Sequence, residues 1–399
     1  MKKLLLVLLL AVPALLLHAA DKIVVTVTQD LDLARPAEVI AVPFSEIQRL
    51  LPDCLFDHLL VRDSAGNVVP AQGTNFQPEE HHDYYRDLLF QHDFAAGEKT
   101  ATFTIEKTKA TVPPFPTKTF ARYIPERFDD FAWENDRIAH RIYGPGLDTP
   151  AAGGSRMISS GIDIWSKRVR YLIVDRWYVK GHYHDDSGEG LDMYDVGKAR
   201  GAGGVGVWDG QQLLVSQNWK TWKVLANGPI ESVFELTYAP WDAGHGVMIS
   251  ETKRFTVDAG HNLDQIESTF DFTPAAGSDG QVTIGIGLTK HPKQAAATAS
   301  QDEKGAWLGL WEDFKSTMAG NLGTGIVLGS AGKFAGFAET SADRIILVKV
   351  KPGETLRYYA GGGWKQSGDF ASNTDWTAYL AAWAQRQQSP IKIAKIEAQ

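Results

Sequence analysis

From Arg122 onward the chain carries more than ten short runs rich in β-branched and aromatic residues, and only one stretch of ordinary helical length, Trp376 to Gln388. Runs of this kind bounded by Gly, Pro, Asn or Asp read as strands. Ile138 to Tyr143, Arg168 to Val174, Trp219 to Leu225, Ser232 to Tyr238, Val247 to Val257, Leu263 to Phe270 and Arg344 to Lys349 are among them. In Ser232 to Tyr238, Phe234, Leu236 and Tyr238 share one face while Glu235 and Thr237 take the other, as a pleated strand requires. Many strands and few helices predict an all-β protein built on a large antiparallel double sheet.

A smaller unit precedes it. Lys22 to Thr28, Ala37 to Pro43, Leu59 to Asp63, Leu88 to Phe94 and Thr100 to Ile105 read as strands of a β-sandwich over 21–110, with one or two helical turns at Ser45 to Leu51. Three prolines in Val112-Pro-Pro-Phe-Pro favour a stiff, extended connection, so 111–120 is read as a linker and 121–399 as the second unit. Lys2, Lys3, the apolar run Leu4 to Leu17 and His18-Ala19-Ala20 have the form of a secretory signal peptide, read as 1–20. The run is too short for a confident transmembrane helix. The expected address is periplasmic or secreted, without membrane insertion.

Cys54 is the single cysteine, so stability must come from the size of the core rather than from a disulfide within the chain. The net charge is −8, and removing Lys2 and Lys3 leaves 38 basic against 48 acidic side chains. An acidic chain with no basic run makes nucleic acid a poor partner, while an anionic sugar needs only a local basic pocket. Twelve Trp and twelve Tyr suit stacking on sugar rings as well as ordinary packing.

Chemistry-bearing residues concentrate in Asp175 to Gly206, where histidines, carboxylates, tyrosines and basic groups alternate with glycines. Loops on a rigid scaffold can aim several groups at one point. The spacing reads as free of helix. His182 and His184 share a face if the backbone is extended, and with Asp185, Asp186 or Glu189 could hold a divalent metal, although no third histidine confirms it. Acid–base work suits them better, and Tyr183 or Tyr194 beside Arg200 could join it; no cofactor is called for. Gly201 to Gly206 formally matches a dinucleotide fingerprint but lacks the strand before it and the helix after it, which excludes that reading.

A second cluster holds Trp133, Glu134, Asn135, Arg137, His140, Arg141 and Tyr143, where an arginine pair could clamp a carboxylate or form a buried ion-pair network. A third is dispersed: Trp219 or Trp222 as a sugar platform, with Lys220, Lys253 or His291 as polar contacts. No Gly-x-Ser-x-Gly elbow supports a serine triad.

Phe131-Ala-Trp-Glu-Asn-Asp-Arg-Ile-Ala-His-Arg-Ile-Tyr-Gly-Pro, Gly161-Ile-Asp-Ile-Trp, His184-Asp-Asp-Ser-Gly-Glu-Gly-Leu-Asp-Met-Tyr, Arg200-Gly-Ala-Gly-Gly and Leu225-Ala-Asn-Gly-Pro-Ile resemble the DUF4861 domain proteins, secreted bacterial proteins of polysaccharide utilisation. The resemblance implies a galactose-mutarotase-like β-supersandwich behind the small β domain, and a role on uronic-acid-containing glycans. The expected reaction is a lyase or dehydratase step on an acidic oligosaccharide. It removes the C5 proton and expels the C4 substituent. Arg137, Asn135 and Arg200 would neutralise the carboxylate, and His184, His182 or Tyr194 would move protons. The alternatives are a glycoside hydrolase using two of Glu134, Glu189 and Asp192, a non-catalytic sugar-binding protein, and an epimerase.

Overall fold

The computed structural model describes residues 20–74, 85–149, 156–314 and 319–399. The signal-peptide reading lies, but for Ala20, outside the described residues. Among these residues no helix is long and apolar enough to cross a membrane. The protein is all-β, and the described residues form five antiparallel sheets and three α-helices.

The small unit is a two-layer sandwich. One sheet runs, edge to edge, through Lys392–Ala398, Lys22–Thr28, Thr100–Lys107, Leu59–Arg62 and Val68–Val69. The other holds Arg35–Pro43, Asp87–Phe94 and Ala71–Thr74, with helix α1 (Phe44–Leu50) beside it. Alternation places Ile23, Val25 and Val27 inside against Ile40, Phe90 and Phe103. The strand Lys392–Ala398, assigned from sequence to the second unit, instead pairs Ile23 with Ala398 and Thr28 with Lys392. Gln72 ties the units together: its Oε1 accepts from Ile230 and Glu231 N–H, each at 2.9 Å, and its Nε2 donates to Glu231 O at 2.8 Å.

The large unit is built on an eight-stranded sheet in the order Thr221–Ala226, Glu231–Asp242, Met248–Asp258, Leu263–Phe272, Thr355–Trp364, Gly320–Leu328, Trp307–Phe314, Ala295–Asp302. Its inner face packs on two five-stranded sheets that share one core with it. One of these contains Ala202–Trp208 beside Val282–Thr289, so the glycine run is a buried strand. The other, in the order Gly190–Leu191, Ile162–Lys167, Ala139–Ile142, Asp130–Glu134, Phe120–Ile124, carries the candidate site.

Helix α3 (Asn373–Gln388) covers the outer face of the large sheet. Ser372 caps it by accepting from Asp375 N–H, and Asp375 reciprocates on Ser372 Oγ at 3.0 Å and Ala371 N at 3.0 Å. A Cβ on Gly323 would stand 2.7 Å from the Trp376 indole, so the bare strand is what lets that ring lie flat on the sheet.

Candidate active site

In the strand Asp130–Glu134, Phe131 and Trp133 point into the core, where Phe131 stacks near Phe234 and Trp133 near Phe255. Asp130, Ala132 and Glu134 therefore take the opposite face. That outer face is covered by α2 (Val174–Lys180), a helix within the stretch read as helix-free and beginning where a strand was expected. Ile173, Val174 and Trp177 pack on Ala132, Ala139 and Trp165. No local side chain caps α2. Glu134, forty residues back, accepts from Ile173 N–H at 2.8 Å and Val174 N–H at 2.7 Å, and takes Lys167 Nζ at 2.8 Å. The helix ends at Gly181, whose φ of 64° swings the chain into the loop bearing both histidines.

At one end of this face lies a buried charged cluster. Arg141 and Asp163 are direct cross-strand partners. Arg141 donates to Asp163 Oδ2 at 2.6 Å, to Asp192 Oδ2 at 3.1 Å and to the Tyr183 hydroxyl at 3.2 Å. Its guanidinium lies between 5.3 and 5.5 Å from the ring centres of Tyr143, Trp165 and Tyr183. Asp130 and Arg127 pair at 3.1 Å beside it. Three carboxyls thus face two guanidiniums. Burial pushes Asp130 up to about 6 against the pull of Arg141 and Arg127. Burial, and then the neighbouring Asp163 charge, holds Asp192 well above the usual carboxylate range. Burial thus works against ionising all three carboxyls at once.

His184 sits at the mouth of this cluster. Its Nδ1 lies 3.0 Å from the Asp192 main-chain oxygen and 3.4 Å from Asp192 Oδ2, while its side chain is 68% exposed. A carbonyl only accepts, so Nδ1 carries the proton and Nε2 offers its lone pair outward. Tyr183 packs on the imidazole with ring centres 4.8 Å apart. A cleft of about 600 Å³, whose lining does not include His184, is formed by Asp175, Arg176, Val179, Lys180, Ser187 and Glu189 of α2 and the same loop.

The other sequence candidates lie elsewhere. His182 occupies a turn at φ 50°, not a strand, so it does not share a face with His184; among the described residues no group of three or more His, Cys, Asp or Glu is arranged around a metal site. Tyr194 is buried, packed on His291, and burial drives its phenol well above its ordinary value. Arg200 is buried too and spends its guanidinium on Ser160 Oγ at 3.0 Å and Lys198 O at 2.9 Å. Neither can meet a substrate at His184.

Asn135 closes the turn before Ile138, donating to Asp258 O and His261 O at 2.7 and 2.8 Å. Arg137 therefore leaves the turn away from Arg141 and pairs with Asp369 at 2.7 Å. Trp133 and His140 stack in the core and share Asp264, with Trp133 Nε1 donating at 2.7 Å. Glu189 is held by Tyr171, Arg176 and Trp177. Trp219 is core, whereas Trp222 is 44% exposed and stacks on Tyr123. Lys220 is exposed, and His291 belongs to a separate cavity. Sequence reasoning missed Asp163, although it stands inside one of the quoted motifs, between Ile162 and Ile164, at the outward position of the strand Ile162–Lys167.

The "Uncharacterized protein P7" of Formosa agariphila is 32% identical over 385 residues, covering 93% of this chain and 92% of that protein. Among solved structures, an alpha-mannosidase from Enterococcus faecalis V583 is similar with a TM-score of 0.46 at 10% identity, over 95% of this chain and 47% of that one. The GH36 alpha-galactosidase AgaB from Geobacillus stearothermophilus follows at 0.30 and 12%, over 61% and 41%. The chain thus spans less than half the length of either solved structure. The family model described as "Domain of unknown function (DUF4861)" matches residues 27–393, and the chain belongs to that family.

Proposed function

We propose that this is an exported carbohydrate-active enzyme that performs an acid–base elimination on a uronate-containing oligosaccharide, with His184 as the base. The observation that carries this reading is the exposed imidazole whose Nδ1 is fixed on Asp192, 3.0 Å from its carbonyl oxygen. A base oriented through its second nitrogen is ready to take a proton without first rearranging.

In the proposed step Nε2 of His184 takes the C5 proton of the uronate. The C5–H electron pair becomes the C4–C5 double bond, and the C4–O bond breaks with its pair on the leaving oxygen. That oxygen takes a proton from the Tyr183 hydroxyl, and the phenolate is stabilised by Arg141 at 3.2 Å until solvent restores both groups. Lys180 on the cleft wall, with Arg176 shared with Glu189 at 2.6 Å, is the cation that would meet a carboxylate and its enediolate. It replaces Arg137, Asn135 and Arg200 in that role.

A carboxylate-pair hydrolase finds less support. Glu134 is buried beneath α2, Asp192 is 4% exposed, and Glu189 is held by three donors. The test is to follow the ultraviolet absorbance of an unsaturated uronate while the purified protein acts on a panel of uronate oligosaccharides. A rise that vanishes in His184→Ala and falls in Tyr183→Phe is expected. New reducing ends with no absorbance change would replace elimination by hydrolysis, and binding without any product would leave a sugar-binding protein.

A further inference from the structure

A cavity of about 350 Å³ opens where the segment after Asp195 meets the turn that follows the strand Val282–Thr289. Lys198 and Lys293 stand exposed on its rim, and neither has an ion-pair partner among the described residues. Lys290, on the wall, is engaged by Glu339 at 2.7 Å.

The floor is His291. Its Nε2 lies 3.0 Å from the Asp195 carbonyl oxygen and its Nδ1 2.9 Å from Glu312 Oε2, while Glu312 Oε1 accepts from His291 N–H at 2.9 Å. Both ring nitrogens thus face acceptors, the arrangement that suits an imidazolium locked to a carboxylate. Burial opposes the charge, but the bond to Glu312 and its charge prevail, and the imidazole is lifted above its ordinary value.

The acidic groups around the cavity are mostly committed. Glu312 is spent on His291, Glu339 on Lys290 and Arg344, and Asp343 accepts from Arg200 N–H at 2.8 Å. Among the described residues that line the cavity, Asp195, which Gln294 approaches at 3.4 Å, is the one acidic group opposite Lys198 and Lys293. A chain of net charge −8 therefore gathers surplus positive charge at one concave spot, the condition that focuses an anion.

We propose that this cavity is an anion subsite that takes a carboxylate or sulfate group of the oligosaccharide, held by Lys198 and Lys293. Three residues of backbone, which reach at most roughly 10 Å, separate Asp195 on its wall from Asp192, the support of His184. Asp195 thus lies within a reach of Asp192 that one neighbouring sugar unit can span. The assignment to a sugar rests on the proposed function; the preference for an anion stands on the cavity itself.

The experiment titrates the mature protein and its Lys198→Gln/Lys293→Gln variant by calorimetry at low salt. The probes are an acidic oligosaccharide, a neutral one of equal length, and inorganic sulfate. Both lysines are exposed, and circular dichroism verifies that the variant folds. The expected result is an affinity for the acidic oligosaccharide about tenfold weaker in the variant, with the neutral one unchanged. Lysine-dependent binding of sulfate equal to that of the sugar would keep the anion site and assign it to a free oxyanion. Equal binding of every probe by both proteins, or no binding of either anion, would overturn the proposal. His184→Gln separates the two claims: it should lose turnover while keeping the lysine-dependent affinity. Were no turnover found with any sugar while that affinity persists, the elimination reading alone would fall.

Discussion

His184 rests its Nδ1 on the main-chain oxygen of Asp192 at 3.0 Å, and the Asp192 carboxyl reaches Arg141 at 3.1 Å, so one residue supports the exposed imidazole and the buried cation together. Because the His184 side chain is 68% exposed, replacing it should cost little stability, within about 0.5 kcal/mol. Loss of a general base should lower turnover by about 10²–10⁴-fold. Steady-state kinetics beside a denaturant titration of His184→Ala separates the two. A large fall in stability with full activity would remove His184 from the chemistry.

Asp264 and His140 form an interior pair whose pH effects oppose each other. Burial raises Asp264 to about 7 and lowers His140 to about 4. Between pH 4 and 6.5 the folded protein holds the Asp264 proton that the unfolded chain has released, so this group loses stability as pH rises. His140 stays neutral when folded while the unfolded histidine takes up a proton, so it gains stability as pH rises. In the wild type the two slopes nearly cancel. Asp264→Asn should leave the histidine slope alone and make the protein acid-sensitive, and His140→Gln should produce the reverse. Each amounts to an upper bound of about 3 kcal/mol across the window. Urea titrations at several pH values check it, and parallel profiles for all three proteins would refute it.

The parts legible in the sequence were those decided locally. Alternation marked Ser232 to Tyr238 within the strand Glu231–Asp242, Val247 to Val257 was read as a strand where Met248–Asp258 runs, α3 was read from Trp376, three residues after its start at Asn373, and the loop of His184 was visible from its mixture of glycine with titratable groups. What escaped was decided by distant partners. Helix α2 is capped by Glu134, not by its own flanks. Arg200 and Tyr194 have the composition of site residues. Their burial depends on Asp343, 143 positions away in the case of Arg200, and on His291. Asp163 becomes meaningful only once strand pairing sets it opposite Arg141.

Glu134 is a positioning residue, and its removal should be costly. Its carboxylate and the Lys167 ammonium are buried together, with 1% and 0% of their side chains exposed. Glu134→Ala strands that ammonium and uncaps α2, at a cost of about 3–5 kcal/mol. Glu134→Gln keeps an acceptor for Ile173 and Val174 and should lose less. Removing both charges in Glu134→Gln/Lys167→Met should recover part of the loss. Chemical denaturation of the three variants tests this, and a double variant no more stable than Glu134→Gln alone would contradict it.

The strand Lys392–Ala398 is an edge of the small sheet, held by its pairing from Ile23↔Ala398 to Thr28↔Lys392 and by the Arg386–Glu38 ion pair at 2.6 Å just before it. Ile393 and Ile396 add apolar contact to the core of that unit. Ending the chain at Ser389 would uncover the full edge of Lys22–Thr28, an open row of donors and acceptors that invites pairing with another molecule. Amide exchange should therefore accelerate across 22–28 while Leu263–Phe272, inside the eight-stranded sheet, stays protected, and light scattering should show association that rises with concentration. Uniform loss of protection in both units would mean that the strand stabilises the whole chain rather than the sandwich it completes, and unchanged exchange at 22–28 would mean that its hydrogen bonds contribute nothing.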